Sequence, residues 1–119
     1  VRILILEDDP LTALDLQCLV EDCGHEVVGL CQTVADAGRR IGDGLDFALL
    51  DVDLPDGKSF ALAERLHRSR VPFAFVSASR RSEVPADLQG APFIPKPYQH
   101  AAIRNSLAEA GGMPLRRAG

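Results

Sequence analysis

Apolar and polar residues fall along this chain in blocks. Residues 2–7 form a nearly continuous aliphatic run, the mark of a strand covered on both faces. Asp9 and Pro10 then read as the cap and first position of a helix. In it Leu11, Leu14, Cys18 and Leu19 recur at helical spacing until Gly24 stops it, which predicts Cys18 in the core. Residues 25–30 are valine-rich and strand-like. A short helix follows over 33–41, with Thr33 as its cap and Gly42 as its stop. A third strand is predicted over 45–51, and the turn Leu54-Pro55-Asp56-Gly57 leads into a helix over 58–69. Strands are predicted over 72–77 and 92–95, and an amphipathic helix over 98–110. Residues 111–119 read as a flexible tail or the start of a linker, which leaves a domain over 1–110.

Strands alternating with helices imply a parallel sheet with helices on both faces. Five strands predict a doubly wound α/β fold, a flavodoxin-like three-layer sandwich of order 2-1-3-4-5, with its site beyond the strands' C-terminal ends. Pro95 suits an edge strand, which the fifth would be. The segment 79–91 has Pro85 at its middle and no clean helical stripe, so the fourth helix is expected to be short or irregular.

Composition narrows the class. A chain of 119 residues, 46% hydrophobic and 25% charged, fits one globular domain and excludes disorder. No stretch is long and apolar enough for a membrane span, and no signal peptide opens the chain, so no membrane partner is expected. The chain begins on Val1 rather than methionine, which suggests trimming. The three cysteines (Cys18, Cys23, Cys31) lack metal or disulfide spacing and read as reduced side chains, which points to a cytoplasmic location. A net charge of −4, with no basic run longer than a pair of arginines, argues against direct nucleic-acid binding. His25, His67 and His100 fall on separate elements, so no shared metal site is expected of them. Only two of the thirteen basic side chains are lysines, Lys58 and Lys96. Lys58, beside the turn at 54–57, reads as solvated.

The chemistry gathers where the apolar runs end. The first strand ends in Glu7-Asp8-Asp9, the third in Asp51, the fourth in Ser77 and the fifth in Lys96. Clustered carboxylates suit a hard cation, and a lysine supplies a point charge for phosphate oxygens. These residues, in this order with the LPDG turn at 54–57, Ser77-Ala78 and Lys96-Pro97, resemble the response-regulator receiver domains of bacterial two-component systems over residues 2–108.

The resemblance implies a phosphoacceptor domain in which Asp51 takes a phosphoryl group from a phosphohistidine. The donor would be a cognate sensor histidine kinase or a phosphotransfer protein. It further implies Mg²⁺ held by Asp8, Asp51 and the backbone carbonyl of Asp53, with Glu7 acting through a water. Lys96 and Ser77 would contact the phosphoryl group, and small Ala78 would leave room for it. Ser77 and Phe93 take the family's switch positions, and Lys96-Pro97 its cis peptide. The switched surface would be the fourth helix, fifth strand and fifth helix, read by a downstream partner or output domain, with phosphorylation-dependent homodimers also in view. No multiple-turnover activity is expected. The intervals from Asp51 to Ser77 and from Ser77 to Lys96 are shorter than usual for the family, and the chain resembles a subgroup with an altered fourth helix. Two alternatives stand beside this reading. One is a haloacid-dehalogenase-type phosphatase using Asp51 and Asp53, against which the order of the acidic clusters argues. The other is an interaction module that is never phosphorylated.

Overall fold

The computed structural model describes residues 1–42 and 44–118, with 111–118 described by their backbone alone. Five strands, β1 (Arg2–Leu6), β2 (Glu26–Cys31), β3 (Phe47–Leu50), β4 (Phe73–Ser77) and β5 (Phe93–Pro95), form one parallel sheet in the order β2-β1-β3-β4-β5. This is the predicted doubly wound order, with Pro95 on an edge strand. Four α-helices accompany it: α1 (Pro10–Asp22), α2 (Val34–Arg40), α3 (Phe60–Arg68) and α4 (His100–Ala118). The turn at 54–57 is the tip of a two-residue antiparallel hairpin, Asp53–Leu54 with Gly57–Lys58, in which Gly57 has φ of 132°. Only glycine adopts that conformation readily.

Successive strand residues point to opposite faces, which divides the core in two. Leu4, Leu6, Ala48, Leu50, Phe73 and Phe75 pack with α2, α3 and the segment after β4. Ile3, Ile5, Phe47, Leu49, Ala74 and Val76 pack with α1 and α4.

Helix α1 corrects one expectation. Asp9 caps it and Pro10 opens it as predicted, but its buried residues are Ala13, Leu16, Leu19 and Val20. Leu11, Leu14 and Cys18 are exposed, so Cys18 is not a core residue. The helix carries two apolar stripes of equal period, and packing against the sheet selects the one that holds Leu16 and Val20. The N-terminus of α2 is capped from two sides. Thr33 Oγ1 accepts from the Asp36 amide at 3.1 Å, and the Asp56 carboxylate accepts from the Val34 and Ala35 amides at 2.9 and 3.0 Å.

Between β4 and β5 there is no α-helix. Two 3₁₀ turns, Arg81–Glu83 and Ala86–Leu88, stand on either side of Pro85, as the proline predicted. Val84 and Leu88 are buried there. The backbone of α4 begins two residues later than expected and runs to Ala118; the division into a domain over 1–110 and a tail falls on residues whose side chains lie outside the description. Among the described residues no helix is long and apolar enough to cross a membrane.

Candidate functional site at the strand ends

Strand register assembles the site. Leu6 pairs with Leu50, so Glu7 and Asp51 leave the sheet side by side, joined by the Asp51 amide donating to the Leu6 carbonyl at 2.9 Å. Ser77 pairs with Pro95, so Lys96 follows directly, and its amide donates to the Ser77 carbonyl at 2.9 Å. Four positions far apart in sequence thus meet on one rim.

Lys96 joins the two halves. Its Nζ donates to Glu7 Oε1 at 2.5 Å and to Asp51 Oδ2 at 3.1 Å. The other Asp51 oxygen, Oδ1, accepts from the Val52 amide at 2.7 Å, which orients the carboxylate. Ser59, buried at the entry to α3, donates its hydroxyl to the Asp51 carbonyl at 2.6 Å and holds the backbone from below. Glu7, Asp8 and Asp51 each bring a carboxylate oxygen within 4.8 Å of the others. Glu7 and Asp51 are buried and Asp8 is exposed, so the cluster opens to solvent on one side. The Lys96–Pro97 peptide is cis.

These charges are crowded in a partly dry place. Burial pushes the Glu7 carboxyl up to about 7, against the hydrogen bonds from Lys96 and the Asp9 amide that favour its charged form. Burial works to lower the Lys96 ammonium, but the hydrogen bond to Glu7 and the negative charges of Asp51 and Glu7 outweigh it, leaving its pKa above the ordinary lysine value.

The remaining predicted residues form a second ring. Ser77 is buried, and its Oγ accepts from the Ser79 amide at 3.0 Å. Ala78 lines an open hollow with Lys96, Pro97, Tyr98 and Leu11. Phe93 is half-buried, its ring centroid 6.2 Å from that of Phe75. Asp53 is exposed, and its two oxygens are taken by the Lys58 ammonium and the Ser79 hydroxyl. The hydrogen bond from Lys58, then that from Ser79, holds the Asp53 carboxyl below the usual carboxylate range. Lys58 is therefore an ion-pair partner as well as a solvated side chain. Ser59 and Ser79 carry no signal of their own in the sequence, and Asp56 is marked there only as part of the LPDG turn; Ser59 stands before α3 but makes no side-chain cap bond. Tyr98 donates to Asp15 Oδ2 at 2.6 Å, tying the connection after β5 to α1.

No model of a known protein family matches the chain. Among curated proteins it is 34% identical over 118 residues to the phyllosphere-induced regulator PhyR of Methylorubrum extorquens, covering 92% of this chain and 43% of that one. The chain therefore spans less than half of that relative's length. Among solved structures it matches SdrG of Sphingomonas melonis at 35% identity and a TM-score of 0.79, covering 92% of this chain and 94% of that one. It matches the non-phosphorylated receiver domain of HemR from Leptospira biflexa at 30% identity and a TM-score of 0.78, covering 92% of both. These relatives favour neither the phosphatase nor the never-phosphorylated module. Asp53, moreover, has both oxygens engaged where the phosphatase reading needs a proton donor. With an acidic cluster and a lysine brought to one rim by strand register, and with such relatives along nearly its full length, the chain belongs to the response-regulator receiver domains of two-component systems, phosphoacceptor signalling modules rather than multiple-turnover enzymes.

Proposed function

We propose that Asp51 is the phosphoacceptor, receiving its phosphoryl group from the phosphohistidine of a sensor histidine kinase or phosphotransfer protein. The observation that carries this reading is the Asp51 carboxylate at a strand end, beside Lys96 and within reach of Glu7 and Asp8. An Asp51 oxygen attacks phosphorus, the phosphorus–nitrogen bond breaks, and the imidazole nitrogen leaves with the electron pair. The product is an acyl phosphate on Asp51. The chain takes part in its own phosphorylation by positioning and charge. Lys96 turns from a carboxylate pair to the phosphoryl oxygens, Ser77 donates to them, and Ala78 leaves space beside them.

An all-oxygen donor set with one exposed member fits a hard divalent cation. Asp8, Asp51 and the Asp53 carbonyl would hold Mg²⁺, with Glu7 acting through a water. When bound, the ion offsets the repulsion among the carboxylates and the charge of the phosphoryl oxygens.

The donor needs a docking surface beside this rim. Leu11 and Leu14 are 78% and 56% exposed on α1, and Leu30 is 41% exposed at the end of β2. Leu14 and Leu30 share a hollow with Glu7. This apolar ground next to the acidic cluster suits a partner that delivers a phosphoryl group to Asp51. On the other side, residues 79–91, β5 and α4 form the surface that responds, through Ser77 at one end and Phe93 at the other. A downstream protein or output domain reads that surface, in the cytoplasm, or a second copy pairs on it after phosphorylation.

The test is phosphorylation by acetyl phosphate with Mg²⁺, read by intact mass. Wild type gains one phosphoryl increment and Asp51→Asn none; a full increment in the variant would place the acceptor elsewhere. Amide exchange of the phosphorylated form should change over 79–91, and unchanged protection there would remove that segment from the responding surface.

A further inference from the structure

We infer that a hollow at the end of the sheet away from Asp51 is a binding site for an apolar α-amino acid in its zwitterionic form. The hollow, of about 460 Å³, lies between the end of α3, the start of β4 and the segment before β5. That size falls within the range of small-molecule pockets. Its walls are mainly apolar, with Val71, Phe73, Leu88 and Ala91 among them, and Arg70 and Asp87 also line it. It is separate from the phosphoacceptor site. Phe73 and Pro92 stand where β4 and β5 begin, whereas Asp51, Ser77 and Lys96 stand where strands end.

Two observations assign these charges to a ligand. The first is that the fold does not use them. Arg70 and Asp87 line one hollow without forming an ion pair, and among the described residues neither side chain has a hydrogen-bond or ion-pair partner. Opposite charges that share a hollow and do not meet leave room for a molecule that carries both. The second is the backbone at Arg70. Helix α3 ends in a Schellman turn, in which the Val71 amide donates to the Leu66 carbonyl at 2.9 Å and the Arg70 amide to the His67 carbonyl at 3.1 Å. Arg70 takes the left-handed position with φ of 60°, the only non-glycine residue with positive φ among those described. Glycine is the ordinary residue there, so the arginine costs stability, and no hydrogen bond or ion pair of its side chain offsets that cost. The ligand follows from these groups. The Arg70 fork suits a carboxylate, with His67 on the same hollow offering a ring N–H. Asp87 accepts from an ammonium, and the apolar walls cover an aliphatic or aromatic side chain. A simple anion would meet repulsion from Asp87 and a simple cation from Arg70, whereas a zwitterion satisfies both. Asp87, Leu88 and Ala91 belong to the segment after β4, so an occupied hollow ties that segment to the end of α3.

The experiment titrates the full chain with leucine and follows its backbone amide resonances. Saturable shifts should gather over residues 67–73 and 87–92. Leucinamide, which lacks the carboxylate, and N-acetylleucine, which lacks the ammonium, should each bind about two- to fivefold more weakly, the coupling of an exposed ion pair. Arg70→Gly should resist urea better than wild type, yet lose leucine affinity by the same factor and leave leucinamide affinity unmoved. Asp87→Asn should weaken leucine likewise and leave N-acetylleucine unmoved. Leucine shifts that fail to saturate in the millimolar range, or that gather elsewhere, would overturn the inference. Equal wild-type affinity for leucine and N-acetylleucine would overturn it too, as would an Arg70→Gly variant that binds leucine as wild type does. No phosphoryl group enters these measurements, so their outcome is independent of Asp51 as acceptor.

Discussion

Two connections cover the same face of the sheet and are built in opposite ways. Helix α3 carries β3 towards β4 and buries Leu62, Ala63 and Leu66, with its interior backbone groups bonded within the helix. The segment 79–91 carries β4 to β5 and buries Val84 and Leu88 in the same cluster, but side chains meet much of its backbone need. Gln89 donates to the carbonyls of Arg81 and Val84 at 3.0 and 2.6 Å, Arg81 donates back to the Gln89 carbonyl at 3.0 Å, and Glu83 accepts from the Arg80 amide at 3.1 Å. Burial against the same face of the sheet thus comes with unequal backbone support. A helix unzips turn by turn, whereas this segment depends on a few individual contacts, which suits the connection that lies beside Ser77 and Phe93.

The largest effect should come from removing the buried leucines. Leu66 is fully buried and Leu88 is 2% exposed. Leu66→Ala and Leu88→Ala should each cost about 2–5 kcal/mol of stability in urea unfolding. A cost for Leu88→Ala far below that for Leu66→Ala would mean that 79–91 is only a surface loop, and the comparison would break.

A smaller effect sharpens it. Gln89→Ala should cost about 1 kcal/mol, and amide exchange should quicken over 79–91 while α3 keeps its protection. Equal quickening in α3 would show that the two connections open as one unit.

The smallest concerns the hairpin after β3, where Asp56 caps α2. Its carboxyl is held below the ordinary value of 3.8 by hydrogen bonds from the Val34 and Ala35 amides. A lowered folded pKa contributes stability above the ordinary value that is lost as pH falls through the folded one. Asp56→Ala should therefore be less stable than wild type at neutral pH, with a gap that narrows below about pH 3.8. A gap that stays constant in acid would show that the cap is not electrostatic.

Much of the molecule was legible in the chain. The aliphatic runs determined the strands, Asp9-Pro10 and Thr33 marked two helix starts, and Pro85 excluded a regular fourth helix. Glu7, Asp8, Asp51, Ser77 and Lys96 were legible as a set because each ends an apolar run, and parallel strands bring such ends together. What the sequence could not decide were choices between equivalent local patterns. Two stripes on α1 had the same period, and only packing against the sheet made Leu16 core and left Leu11, Leu14 and Cys18 exposed. Ser59 falls inside the helix predicted over 58–69, yet it stands before α3 and its hydroxyl donates to the Asp51 carbonyl. The roles of Asp56, Lys58 and Ser79 rest on partners 22, 5 and 26 residues away. A side chain's local pattern records its element, whereas its partner is set by the register and layering that bring distant segments into contact, and those exist only in the folded chain.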